Sequence, residues 1–325
     1  MRFVGMHALA LAATWSFGSS AAFTDTPTIA AVSLEHEPAP TVARGFAVVP
    51  FEPRATVVLD AVHWTAPRRE SSRQLALRFG LTTDELHALA PELDAGVEPG
   101  QRVLVYRHDP DAPSRSMGSP NRGRIQHAAA FPEGEGWVLR GYRPRTWATR
   151  GTVSALAGAL GEWRERFPEA QPVLLGEFSR RAGGRVRPHK SHCSGRDVDV
   201  GYVLRTAPAA HRFTVATFDT LDAAATWGLV ERLVASGAVE SIFMATQVQR
   251  QLLPYAMGRV EPSRLPAIFS VLAPNARAQK KALLRAWGGH DDHMHVRFAC
   301  GEGDPECGDA VRRSTKKRRK GRKRR

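Results

Sequence analysis

The chain has 325 residues, 42% of them hydrophobic and 24% charged, a composition that excludes a wholly disordered protein and leaves room for a catalytic domain plus a small accessory module. The net charge of +14 is unevenly placed: Arg312 to Arg325 hold eleven Lys or Arg and no acid, and subtracting those eleven leaves only +3 on the body. The tail has no interleaved aromatics, so nucleic-acid binding by base stacking is not expected; polyanions at a cell surface are its candidate partners, the alternative being a solvated tail with no specific partner.

In chain order, Met1 to Ala22 reads as a secretory signal. Arg2 is followed by an apolar run (Val4, Ala8 to Leu11, Trp15) and then by small residues, with Ser19-x-Ala21 as a cleavage site. Beyond it no stretch approaches the roughly 18 apolar residues that a membrane-spanning helix needs, so the mature chain is expected to be periplasmic or secreted. Residues 23–56 are rich in Pro, Ala, Thr and Glu and read as linker.

Residues 57–107 read as a compact βααβ unit. Val57–Val58–Leu59 is a short apolar segment, and Ser71 to Phe79 is helical with Gly80 as its stop. Thr82–Thr83–Asp84–Glu85 opens a second helix, and Val103 to Tyr106 is a closing strand. The run from Leu75 to Val105 resembles a LysM module, which implies binding to glycans that contain N-acetylglucosamine.

Residues 108–130 return to linker composition, and a larger domain spans 131–311. There Val153 to Phe167 and Leu221 to Ser236 read as helices, and Pro172 to Gly176 and Ile242 to Met244 as strands. The fold class is therefore α+β: a small antiparallel sheet carrying a metal site and flanked by helices, plus the βααβ module.

The histidines carry the main signal. Five of the twelve fall in two short segments, His189/His192 and His290/His293/His295. After the first segment, Asp197-Val198-Asp199-Val200 alternates like a strand, with both carboxylates on one face. Paired carboxylates on a half-buried strand are costly unless something positive sits beside them. In the second segment His293, His295 and Arg297 share one face, while Met294, Val296 and Phe298 share the other. Bringing the two strands together offers His, Asp and His to one ion. That donor set suits zinc and leaves a fourth position open for water, as catalytic sites require. There is no His-Glu-x-x-His helix. Cys300 and Cys307 flank a Gly/Asp/Pro turn that can close as a disulfide in an oxidising compartment, the alternative being half of a zinc knuckle.

The runs His189 to Tyr202 and Gly288 to Phe298 resemble the penicillin-insensitive murein endopeptidases, members of the wider group that includes lysostaphin-type enzymes, D-Ala-D-Ala carboxypeptidases and the hedgehog signalling domain. The resemblance implies zinc ligation by His192, Asp199 and His295. It implies His293 as the catalytic histidine, with His290 and His189 as further active-site histidines, and a Cys300–Cys307 disulfide. The implied reaction is cleavage of D-alanyl–meso-diaminopimelate cross-links in peptidoglycan, without a serine for β-lactams to attack. Asp197, Asp291 or Asp292 can orient an imidazole. Arg185 and Arg297 can meet a peptide carboxylate, an ion pair being as good a reading for Arg185. Trp287 is either a substrate wall or core.

Cys193 stands where the family has Gln. It is an inert core residue, a substrate-lining residue or an extra metal ligand. The last would close the site and favour a non-catalytic wall-binding protein with structural zinc. A peptidoglycan carboxypeptidase or L,D-endopeptidase is the other rival reading.

Overall fold

The computed structural model describes residues 59–140, 143–206, 212–301 and 303–308. The expected signal, the first linker, Val57–Val58 and the basic tail lie outside the described residues. Among the described residues, no helix is long and apolar enough to cross a membrane.

The N-terminal part is built from β1 (Ala61–Thr65), α1 (Ser72–Phe79), α2 (Thr83–Leu89) and β2 (Arg102–Arg107), with β1 and β2 antiparallel. The first strand thus lies at Ala61–Thr65, after the apolar Val57–Val58–Leu59 run, because Val62 and Trp64 alternate into the core where that run has no alternation. Both helices begin with a reciprocal capping box, Ser71 with Gln74 and Thr82 with Glu85, which satisfies free N–H groups of the first turn. Gly80 ends α1 in the left-handed conformation (φ 66°), where a side chain would be strained.

Residues 108–130, whose composition reads as linker, carry the hairpin β3 (Arg115–Met117) and β4 (Arg124–Gln126) and the short β5 (Ala129–Ala130). Then follow β6 (Trp137–Leu139), β7 (Trp147–Ala148), α3 (Arg150–Arg166), β8 (Val173–Leu175), β9 (Asp197–Gly201) and α4 (Ala223–Ala235). The chain continues through β10 (Val239–Met244), α5 (Thr246–Met257), α6 (Leu265–Ile268), α7 (Ala276–Gln279), β11 (Leu284–Ala286) and β12 (His293–Phe298).

Six of these strands form one sheet in the order β11-β10-β12-β9-β8-β6. It is larger than the small antiparallel sheet expected, and it is mixed: β6/β8 and β10/β11 pair in parallel. Those pairs are joined through α3 and through α5 to α7, the helical crossovers that parallel pairing needs. The outer strands β6 and β11 are three residues long, too short to show a period in sequence.

The centre of the sheet is the antiparallel pair β9/β12, with His295 opposite Asp199, Arg297 opposite Asp197 and His293 opposite Gly201. Its apolar face (Val198, Val200, Met294, Val296) is fully buried and joins Leu156, Leu160, Leu229 and Leu233 of α3 and α4 in the core. The polar face is the one that carries chemistry.

The N-terminal βααβ part packs against the rest of the fold. The Trp147 indole donates to the Phe79 carbonyl at 2.8 Å, the Tyr106 ring meets Trp147 edge-on, and Arg150 pairs with Asp60. Trp147 is 1% exposed, so this joint is continuous with the core.

Candidate active site

His192 sits in a loop leading into β9, and its backbone is left-handed (φ 65°), which a non-glycine residue adopts only when its surroundings hold it there. Two contacts do so. Its N–H donates to Asp197 Oδ2 at 3.2 Å, and the N–H of Cys193 donates to the Pro120 carbonyl at 2.9 Å. The Nδ1 of His192 faces the Asp197 carbonyl at 3.2 Å, the contact of an Nδ1–H donor. In that tautomer the lone pair is on Nε2, 3.2 Å from Asp199 Oδ1.

The cross-strand register brings His295 to the same place. Its Nδ1 lies 2.9 Å from Asp199 Oδ1 and its Nε2 3.1 Å from Asp197 Oδ1. Asp197 also accepts from Arg297 Nε at 2.7 Å. Arg297 thus holds a buried carboxylate through its Nε.

His189 Nδ1 approaches Asp199 Oδ2 at 3.5 Å, and His293 Nε2 approaches Asp199 Oδ1 at 3.8 Å. His293 Nδ1 makes a short contact with Asp292 Oδ1, while the His290 ring lies 4.9 Å from that of His293. The structure therefore gathers all five motif histidines around Asp199.

Burial shapes the charges. It pushes the carboxyls of Asp197 and Asp199 toward the neutral form, but the imidazole of His295 and the guanidinium of Arg297 for the first, and the imidazoles of His192 and His295 for the second, more than offset it. Both carboxyls are held well below the usual carboxylate range. Burial likewise opposes a charge on His295, yet Asp197 and Asp199 raise it to about 9. For His189 and His290 burial wins and lowers the pKa, which keeps lone pairs available. Two buried carboxylates thus demand two positive charges. Arg297 is one, and a proton on His295 or a metal cation can be the other.

A metal fits these residues. One donor atom each from His189, His192 and Asp199 lie within 4.8 Å of one another. His192 Nε2 and Asp199 Oδ2 are buried without a hydrogen-bond partner, as atoms reserved for an ion would be. This trio shares His192 and Asp199 with the ligand set expected from sequence and has His189 in the place of His295.

The remaining candidates divide. Trp287 is 61% exposed and meets Phe243 edge-on at 5.7 Å, and Phe243 in turn meets His295, so Trp287 is not core. Arg185 is exposed. Cys193 is buried, its thiol pKa is raised by burial, and it is not among the clustered donors. Cys300 and Cys307 form a disulfide. Two neighbours carried no signal in sequence. Phe213 stacks on His293, and the Glu177 carboxylate, paired with Arg145, opposes in small part the burial that lowers the pKa of His189. Each lies in a segment without motif spacing.

Residues 116–319 match the sequence profile of the penicillin-insensitive murein endopeptidases, well over half of the chain. The chain belongs to that family. Curated murein endopeptidases of this name are similar to part of the chain. Two from strains of Klebsiella pneumoniae are 33% identical over 146 residues, and one from Yersinia enterocolitica is 33% identical over 143. Each match covers 42% of this chain and 48% of the relative, so the chain spans about half the length of the curated relatives it matches. The family region contains all five motif histidines, Asp197, Asp199 and the disulfide, and begins after the βααβ part.

Proposed function

We propose that this member of the murein endopeptidase family is a zinc-dependent peptidase that hydrolyses D-alanyl–meso-diaminopimelate cross-links of peptidoglycan, outside the cytoplasm, in the periplasm or after secretion. The observation that carries the reading is the buried Asp199 carboxylate ringed by imidazoles, with its Oδ2 and the Nε2 of His192 left without a hydrogen-bond partner.

His192 through Nε2, Asp199 and His295 through Nδ1 would hold the ion. Asp197 supports His295 in that role: it accepts from Nε2 and so directs Nδ1 toward Asp199. When bound, zinc supplies Lewis-acid polarisation of the scissile carbonyl and acidifies the attacking water. His293 takes the proton at Nε2, because Asp292 occupies Nδ1. His290, its ring 4.9 Å from that of His293, is a further histidine of the active site. His189 stands on the more open side, 27% exposed, where a substrate enters. Trp287, which is exposed, would form a wall of the site, and Arg185, also exposed, would meet a peptide carboxylate.

The βααβ unit serves as a glycan-binding module of the LysM kind and raises the local concentration of cross-links. The basic tail meets surface polyanions.

The test is digestion of purified cross-linked peptidoglycan dimers, read by mass spectrometry, with and without chelator and with His295→Ala in parallel. Chelator-sensitive conversion of dimers to monomers, lost in the variant, supports the reading. Loss of a terminal D-alanine instead would identify a carboxypeptidase. Intact dimers with one tightly held zinc per chain would refute the peptidase reading and favour a wall-binding protein.

A further inference from the structure

We infer that Phe213 is a positioning residue for His293, an inference that rests on the catalytic role proposed for that histidine. The two rings stack with centroids 4.8 Å apart and planes 17° from parallel. The Arg140 guanidinium also lies over the Phe213 ring, 4.8 Å from its centroid.

The sheet is shaped to admit this ring. The cross-strand partner of His293 is Gly201, which has no side chain to flank the imidazole. A Cβ on Gly201 would lie 3.3 Å from Phe213, and a Cβ on Gly176 would lie 2.3 Å from its Cζ. Gly201 in β9 and Gly176 just past β8 thus open a slot, and Phe213, from the stretch between β9 and α4, fills it, as an aromatic ring covers a bare glycine in a strand. The same loop is pinned three residues on, where the N–H of Ala216 donates to the Asp291 carbonyl at 2.8 Å.

Asp292 fixes which nitrogen of His293 faces the cluster, but one contact at Nδ1 leaves the ring free to swing about that contact. The face-to-face stack with Phe213 removes this freedom and keeps Nε2 on the side of Asp199. Phe213 therefore acts on the imidazole and not on the ion.

The test compares the zinc-loaded full chain with Phe213→Leu, Phe213→Tyr and Gly176→Ala, the last displacing the ring without removing it. The first readout is independent of turnover: the carbon-bound imidazole protons of His293 in NMR spectra, assigned with His293→Gln. They are shielded by a stacked ring and are expected to move downfield in Phe213→Leu and Gly176→Ala but not in Phe213→Tyr. The second is steady-state hydrolysis of cross-linked dimers. With zinc content unchanged, kcat is expected to fall about 10- to 100-fold in Phe213→Leu with KM within about twofold, and to be restored by Phe213→Tyr.

Unmoved His293 resonances in a folded Phe213→Leu overturn the inference. So does a wild-type kcat despite moved resonances. A rise in KM at constant kcat overturns it too, since Phe213 would then be touching substrate. If the wild-type chain releases no monomers, the peptidase reading fails, while the resonances still decide whether Phe213 sets the imidazole.

Discussion

Asp197→Asn isolates the group that supports the candidate metal site without offering a ligand of its own in the proposed set. Asp197 is fully buried. One of its oxygens accepts from Arg297 Nε and His295 Nε2, and the other from the backbone N–H of His192. Asn keeps the shape but brings one oxygen and one NH2. Whichever way the amide is turned, its NH2 faces a buried donor, either the His192 N–H or the Arg297/His295 pair. One unsatisfied donor costs about 1–3 kcal/mol, which for a domain of this size is roughly 2–12 °C in melting temperature. Arg297 also loses its charged partner, so the upper end is expected. Loss of the supporting carboxylate should weaken zinc binding about 10- to 100-fold, or about 1.4–2.7 kcal/mol. Competition titration against a chelator reads the affinity, and thermal unfolding with and without zinc reads the stability. Asp199→Asn, which alters a proposed ligand, should be worse on affinity. An Asp197→Asn chain that binds zinc like the wild type and cuts at the wild-type rate would refute the argument.

Cys193→Ser tests the residue that departs from the family pattern. The thiol is buried and neutral, with Ser191 O at 3.7 Å as a weak acceptor, so zinc content and kcat should stay within about twofold while stability falls by about 1 kcal/mol. A fall in zinc content would make Cys193 a ligand after all. Glu70→Gln tests the N-terminal unit through pH. Hydrogen bonding to Arg78 outweighs burial and lowers the Glu70 pKa. A depressed carboxyl stabilises the fold above its unfolded pKa and loses that contribution as pH falls through the folded value. The wild type should therefore exceed the variant by about 1–3 kcal/mol near pH 7, and the gap should close below about pH 4. A gap in denaturant titrations that is constant from pH 7 to 3 would contradict this.

The candidate site was legible because strand periodicity writes side-chain direction into sequence. With a period of two, Asp197 and Asp199 must share a face, as must His293, His295 and Arg297. Helix starts at Ser71 and Thr82 and the stop at Gly80 were legible for a similar local reason: caps act within a few residues. Composition was a weaker guide. Residues 115–126 have the polar, Pro- and Gly-containing make-up of a linker and yet form a hairpin, because its pairing is satisfied by backbone groups that composition does not describe.

What the sequence determined by itself was the inventory: which residues share a strand face, where helices begin, and that a His/Asp set able to take a metal is present. Only the tertiary structure decided who meets whom. The β9/β12 register placed Arg297 against Asp197, so that its Nε holds that buried carboxylate. It set Gly201 opposite His293 and so made room for Phe213, and helical crossovers added parallel strands to the sheet. Packing of Trp147 beneath Phe79 joined the N-terminal βααβ part to the core. Such pairings join residues up to about a hundred positions apart. Local propensity and spacing fall silent over that range, and register, close packing and the cost of unpaired buried charge choose the partners.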